Sequence, residues 1–197
     1  LEGTMSWAVF ALVTLAAAIH VAWNALVKTC GDQRAFALLT SLTALAALLP
    51  GFLARRLLGG TPLPPALWAW AALSGLFEAL YTLLLFRAYR SGDLSIVYPV
   101  SRGTAPLATL AVAGVWLGDG VTWPQGLAVM LVVLGVLGLA LSTGAAGRWR
   151  PAGLVPALLT GLTIAAYHLV DRRAMLLAGG ATPYEYLLAV QLCTTAG

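Results

Sequence analysis

Residues 66–94 read ALWAWAALSGLFEALYTLLLFRAYRSGDL. From Ala66 to Tyr89 the run is apolar enough, and long enough at more than the roughly 20 residues a helix needs, to cross a hydrocarbon core. Arg90-Ser91-Gly92-Asp93 closes it as a tight connection, and a second apolar run opens at Leu94. A single acid, Glu78, stands about 12 residues from either end of the first run. Two long apolar segments joined by a short polar turn are the pattern of a polytopic membrane protein.

The rest of the chain extends that pattern. Of its 197 residues 60% are hydrophobic and 9% charged, against roughly a quarter charged in a soluble domain, so a water-facing surface cannot be built from them. The net charge of +4 is carried by eleven basic residues placed singly or in pairs. No clustered basic stripe exists, so nucleic acid is not expected as a partner. Cys30 and Cys193 are far apart and have no second ligand pair nearby, which argues against a disulfide framework or a metal site. No cofactor motif is present. Residues 1–4, ahead of Met5, read as a cloning remnant. The first apolar run lacks a basic leader and a small-residue cleavage site, so it reads as a span and not as a signal peptide.

Helix one is expected over Trp7 to Val27, before the polar stretch from Lys28 to Arg34, and helix two over Ala35 to Leu53, stopping at Arg55-Arg56. Helix three follows from Ala66 to Tyr89, helix four from Leu94 to Leu117, and helix five from Trp123 to Leu141. Ser142 to Ala152, glycine-rich and carrying Arg148 and Arg150, reads as a linker. Helix six spans Leu154 to Leu177, and Tyr184 to Gly197 opens a seventh apolar segment too short to cross a bilayer unless more chain follows. Trp7, Trp68, Trp70, Trp116, Trp123 and Trp149 fall near expected helix ends, where amphipathic rings prefer the interface. Glycines and alanines within the runs permit the close packing that replaces hydrophobic drive in lipid.

A short self-similarity links the ends of helices one and six. Ala22-Trp23-Asn24 and Ala166-Tyr167-His168 both read small, aromatic, polar, and they are offset by 144 residues. The copies are five spans apart, and an odd number of spans per repeat sends the second copy through the membrane in the opposite direction.

The stretch Gly92-Asp93-Leu94-Ser95-Ile96-Val97-Tyr98-Pro99-Val100-Ser101-Arg102-Gly103-Thr104-Ala105-Pro106-Leu107 resembles the EamA-type transporters of the drug/metabolite transporter superfamily. So do Trp116-Leu117-Gly118-Asp119, the glycines from Gly126 to Gly138, and His20-Val21-Ala22-Trp23-Asn24. The resemblance implies an all-α bundle of ten transmembrane helices in two inverted five-helix repeats, exporting amino acids and other small metabolites across the bacterial inner membrane. Residues 5–141 then form the first repeat, 142–152 the linker, and 153–197 the start of the second, about six and a half helices in all. On that reading the sequence is a truncated or partial product of a longer transporter. Where family members carry Glu after the Leu-Gly of helix four this chain has Asp119, a shorter acid expected to keep the same capping role.

An ionisable group at membrane depth is a functional candidate by default, because burying it unpaired costs several kcal/mol. Glu78, with Tyr81 and Thr82 one turn on, is placed to exchange a proton and couple its flow to substrate movement, or to be a structural acid paired with Arg102 or hydrogen-bonded within the bundle. His20, Asn24 and Lys28 form one stripe along helix one, expected to face a cavity or to act as interhelical glue. Tyr98, Ser101, Arg102 and Ala105 share a face of helix four loosened by Pro99 and Pro106. Arg102 offers a fork of donors for a carboxylate or phosphate, with snorkelling to the interface as the alternative. His168 repeats the theme on helix six, while Asp171 to Arg173 read as its aqueous end.

The candidate site is therefore Glu78, His20, Asn24, Tyr81, Tyr98, Ser101, Arg102 and His168, with a small-molecule substrate, the lipid bilayer and protons as partners and a homodimer as a candidate assembly. A cationic drug exporter is favoured by Glu78 and disfavoured by Arg102. A non-transporting packing or assembly subunit would need neither Glu78 nor the repeat. An intramembrane enzyme would need a clustered catalytic set that the sequence lacks. Orientation is divided: with the N-terminus inside, four basic residues (Arg55, Arg56, Arg172, Arg173) are cytoplasmic against six opposite, whereas the resemblance implies N-inside.

Overall fold

The computed structural model describes residues 7–115, 120, 122–142, 151–178 and 183–196. Regular structure among them is all helical, in seven elements: α1 (Trp7–Thr29), α2 (Gln33–Leu57), α3 (Pro65–Ser91), α4 (Leu94–Val115), α5 (Trp123–Ser142), α6 (Pro151–Leu177) and α7 (Pro183–Ala196). Residues 1–4, read above as a remnant, the motif residues Trp116 to Asp119, and Arg148, Trp149 and Arg150 of the expected linker lie outside the described residues. Four helices, α1, α2, α3 and α6, are long and apolar enough to cross a membrane, and α5 holds a shorter apolar stretch, Trp123–Val136. The chain is a multi-pass helical bundle.

The ends of the helices follow local chemistry. Asp32 caps α2, its Oδ1 accepting from the amides of Arg34 and Ala35, both at 3.0 Å, which satisfies donors that have no intrahelical partner. Pro65 begins α3 and Pro151 begins α6, where a missing N–H costs nothing and the fixed φ suits a first turn. Helix six thus starts three residues before the expected Leu154, because Pro151 acts as a starter and not as part of the linker. At α5 the amide of Thr122 donates to Gln125 Oε1 at 3.0 Å, half of a capping box. Arg55 and Arg56, expected to lie beyond α2, belong to its last turn. There a cation suits the exposed carbonyls, and Gly59, at φ 83°, turns the chain back.

Helix α3 is the shared post of the bundle, packed most extensively against α6 and then α7, while α4 packs on α6 and α2 on α7. Two apolar clusters sit at its two ends. Leu67 and Ala71 meet Ala174, Tyr186 and Val190 at one end. At the other, Leu85, Phe86 and Tyr89 meet Val27, Val97 and Ala157. These pairings run α6 antiparallel to α3. Contacts of Asn24 and Lys28 with Tyr89 run α1 parallel to it, so α1 and α6 are antiparallel. Arg55 with Glu185 and Leu48 with Tyr184 likewise set α2 and α7 antiparallel.

With lipid outside, apolar burial contributes little between helices, and backbone approach contributes more. A Cβ on Gly161 of α6 would lie 2.5 Å from Thr104 Cβ and 2.7 Å from the Ser101 carbonyl oxygen of α4. A Cβ on Gly75 of α3 would lie 2.7 Å from Cys193 Cβ of α7. Both helix pairs therefore depend on a missing side chain. Gly161→Ala should lower unfolding stability in detergent by about 1–3 kcal/mol through overpacking. Gly135→Ala, whose Cβ meets nothing within 4 Å, should be neutral or slightly stabilising; equal melting of the two variants would overturn the close-contact account.

Candidate functional site

Between its two apolar ends, α3 presents Glu78, Tyr81 and Thr82 to a cavity of about 300 Å³ bounded by α1, α2, α4, α6 and α7. Helix α1 adds His20 and Trp23, α2 adds Thr40 and Ser41, α4 adds Arg102, α6 adds Tyr167, and α7 adds Gln191 and Thr194. Apart from its ends, the wall is a ring of donors, acceptors and aromatic faces in an otherwise apolar bundle.

Arg102 is the most elaborately held group. One guanidinium nitrogen, Nη2, contacts His20 Nε2 and donates to the Tyr81 hydroxyl at 3.3 Å. Since Arg has no acceptor, Nε2 must accept, which puts the proton of the His20 ring on Nδ1. The guanidinium carbon also lies 5.9 Å from the centroid of the Tyr81 ring and 5.6 Å from that of Tyr98, each a cation–π contact of about 0.5–2 kcal/mol. No carboxylate among the described residues pairs with it. The cation is fixed by neutral groups and keeps its charge available to the cavity.

Glu78 is fixed in a different way. Its Oε2 accepts from Thr194 Oγ1 at 2.9 Å, and its carbonyl accepts from Thr82 Oγ1 at 3.0 Å. No Lys or Arg among the described residues lies within ion-pair distance of it. Of the two structural arrangements expected for Glu78, the pairing with Arg102 is not formed, although both line one cavity, and the hydrogen bond within the bundle is, through Thr194.

Half of the candidate residues meet there: His20, Glu78, Tyr81 and Arg102. The polar stripe of α1 reaches the cavity only through His20. Asn24 is buried, accepting from Tyr89 hydroxyl at 2.6 Å and donating to the His20 carbonyl at 2.7 Å, which is the interhelical-glue alternative. Lys28 Nζ donates to the carbonyls of Tyr89 and Gly92, neutralising the C-terminal end of α3. Tyr98 supports Arg102 from behind. Ser101 is buried against α6, its hydroxyl donating to the Tyr98 carbonyl at 3.0 Å. His168 is exposed, its ring 4.5 Å from that of Tyr167. Asp171 accepts from Tyr186 hydroxyl at 2.9 Å and ties α6 to α7.

Trp23, Thr40, Ser41, Tyr167, Gln191 and Thr194 line the cavity without having been singled out as site residues. Trp23 and Tyr167 carried a signal, as the aromatic positions of the two self-similar segments Ala22-Trp23-Asn24 and Ala166-Tyr167-His168. Gln191 and Thr194 lie in the segment read as a short opening of helix seven, and Thr40 and Ser41 look like any small polar residues of a span.

The fold is that of a multi-pass membrane bundle whose cavity gathers a cation and an acid that form no ion pair among the described residues. The EamA-like transporter family matches residues 5–141, and the chain belongs to that family of small-molecule membrane transporters. An uncharacterized protein of Methanocaldococcus jannaschii is 32% identical over 73 residues, which are 37% of this chain and 53% of that relative. The chain thus spans about half of the length of the curated relative that it matches. No solved structure matches.

Asn24→Ala should leave the Tyr89 hydroxyl unpartnered inside the bundle, at a cost of about 1–3 kcal/mol. Thermal unfolding in detergent should show that loss, with Thr40→Ala close to wild type; an unchanged midpoint for Asn24→Ala would remove the structural role assigned to it.

Proposed function

We propose that this chain is part of a secondary active transporter that exports small metabolites such as amino acids across the bacterial inner membrane, coupled to protons through Glu78. The observation that carries the reading is the cavity of Glu78, His20, Tyr81 and Arg102, with acid and base held on separate neutral scaffolds. A substrate carrying both a carboxylate and an ammonium group would satisfy the two unpaired charges at once. A purely cationic drug would meet Arg102 in the same cavity and be repelled.

The inverted-repeat organisation, with residues 5–141 as one repeat and 153–197 opening the next, is part of the same reading. Its support is that α1 with α6, and α2 with α7, run antiparallel, and that Trp23 and Tyr167 line one cavity. Rocking of one repeat against the other would expose the cavity to the two sides in turn. The hydrogen bond from Thr194 to Glu78 joins α7 to α3 across that division, so protonation of the acid would alter a contact between the two repeats.

The test is proton-driven uptake of radiolabelled amino acids into proteoliposomes holding the full-length transporter of which this chain is part. Arg102→Leu should cut uptake of carboxylate-bearing substrates by about tenfold or more, the worth of one charge-assisted bidentate contact. Glu78→Gln should leave counterflow exchange measurable while removing the dependence of uptake on the pH gradient. A pH dependence unchanged in Glu78→Gln excludes Glu78 from coupling, and full uptake in Arg102→Leu excludes this cavity as the substrate site.

A further inference from the structure

A second cavity, of about 520 Å³, is walled by α2, α7 and the start of α3, and it shares no lining residue with the first. Its shaft is apolar, formed by Leu45, Leu49, Leu188 and Leu192, and its mouth carries Arg56 and Glu185. Arg56 is in the last turn of α2 and Glu185 in the first turn of α7, so the mouth stands at the level of helix ends. The eleven residues back from Arg56 to Leu45 carry the shaft roughly 16 Å along the axis of α2. The cavity therefore runs from headgroup depth into the acyl region.

The chemistry at the mouth is incomplete. Glu185 is only 4% exposed, and while its Oε1 accepts from Arg55 Nε at 2.7 Å, its Oε2 is buried with no hydrogen-bond partner among the described residues. A buried carboxylate oxygen left bare costs more than almost any other unsatisfied group, and a cationic N–H donor relieves it best. Arg56 is exposed and donates through Nη1 to the Gly60 carbonyl at 3.1 Å, which leaves guanidinium donors facing outward for a phosphate. A carboxylate with one oxygen unpartnered among the described residues, an exposed guanidinium and an apolar shaft are needs that one molecule meets.

We propose that the cavity between α2 and α7 binds a phospholipid with a primary ammonium headgroup: the ammonium donates to Glu185, the phosphate lies on Arg56, and one acyl chain fills the shaft along Leu45, Leu49 and Leu192. Such a lipid bridges α2 and α7, which the Arg55–Glu185 pair and the bond from Tyr184 hydroxyl to the Leu48 carbonyl also join. It is a site separate from the transport cavity and stands whether or not that cavity carries amino acids.

Native mass spectrometry of the delipidated protein in detergent tests the assignment, with dioleoyl phosphatidylethanolamine, phosphatidylcholine and phosphatidylglycerol offered at equal concentration. One phosphatidylethanolamine should be retained per chain, with the other two retained about tenfold less, since one lacks N–H donors and the other lacks the cation. Leu49→Trp and Leu192→Trp, made separately to fill the shaft without touching the mouth, should each lose the adduct while melting no lower than the delipidated wild type. Glu185→Gln should bind all three lipids alike. Equal retention of the three lipids by wild type, or an adduct that survives both tryptophan variants, overturns the proposal. So does binding of dodecylammonium without binding of phosphatidylethanolamine, which would make the cavity a site for small cationic amphiphiles.

Discussion

A guanidinium cannot stand bare in hydrocarbon, and the way Arg102 is held organises the centre of this bundle. The simplest solution, a carboxylate beside it, would cancel the charge. Instead the tyrosine rings of α3 and α4 face the cation and the His20 ring of α1 accepts from it. Three helices are thereby held around one positive charge by groups that do not neutralise it. Glu78, held by Thr194 of α7, is the counterpart of opposite sign.

That arrangement requires α3 to be rigid, since it carries Glu78 and Tyr81 one turn apart. Its two ends are anchored in separate apolar clusters, and its last carbonyls are held by Lys28. The polar middle is thus suspended between two packed ends. Close approach at Gly75 and Gly161 brings α7 against α3 and α6 against α4, and it sets Thr194 of α7 within hydrogen-bond reach of Glu78 on the post. Small residues, which bring no functional group to a site, decide how far its walls stand apart.

Comparison of α1 with α7 shows where a one-dimensional reading succeeds and where it stops. Along α1 the i, i+4 spacing placed His20, Asn24 and Lys28 on one face correctly, since all three turn toward α3 or α4. Only the first faces the cavity, because the other two lie opposite the buried Tyr89 hydroxyl and the C-terminal carbonyls of α3, which have their own unmet hydrogen bonds. In α7, Gln191 and Thr194 sit in a short apolar segment with little to mark them, and only its parallel run beside α3 brings Thr194 to Glu78.

The amino-acid order by itself determined the solvent, the number and approximate limits of the helices, and which rare charges had to be accounted for. Those depend on local composition: a run of apolar residues is committed to lipid wherever it packs, and a proline or capping Asp acts within its own turn. Tertiary structure alone decided which polar groups share a cavity and which are spent holding helices together. That choice depends on crossing distances and rotations between helices distant in sequence. Helical periodicity says which residues share a face, but only the neighbouring helix decides whether that face meets a cavity, a carbonyl or another backbone.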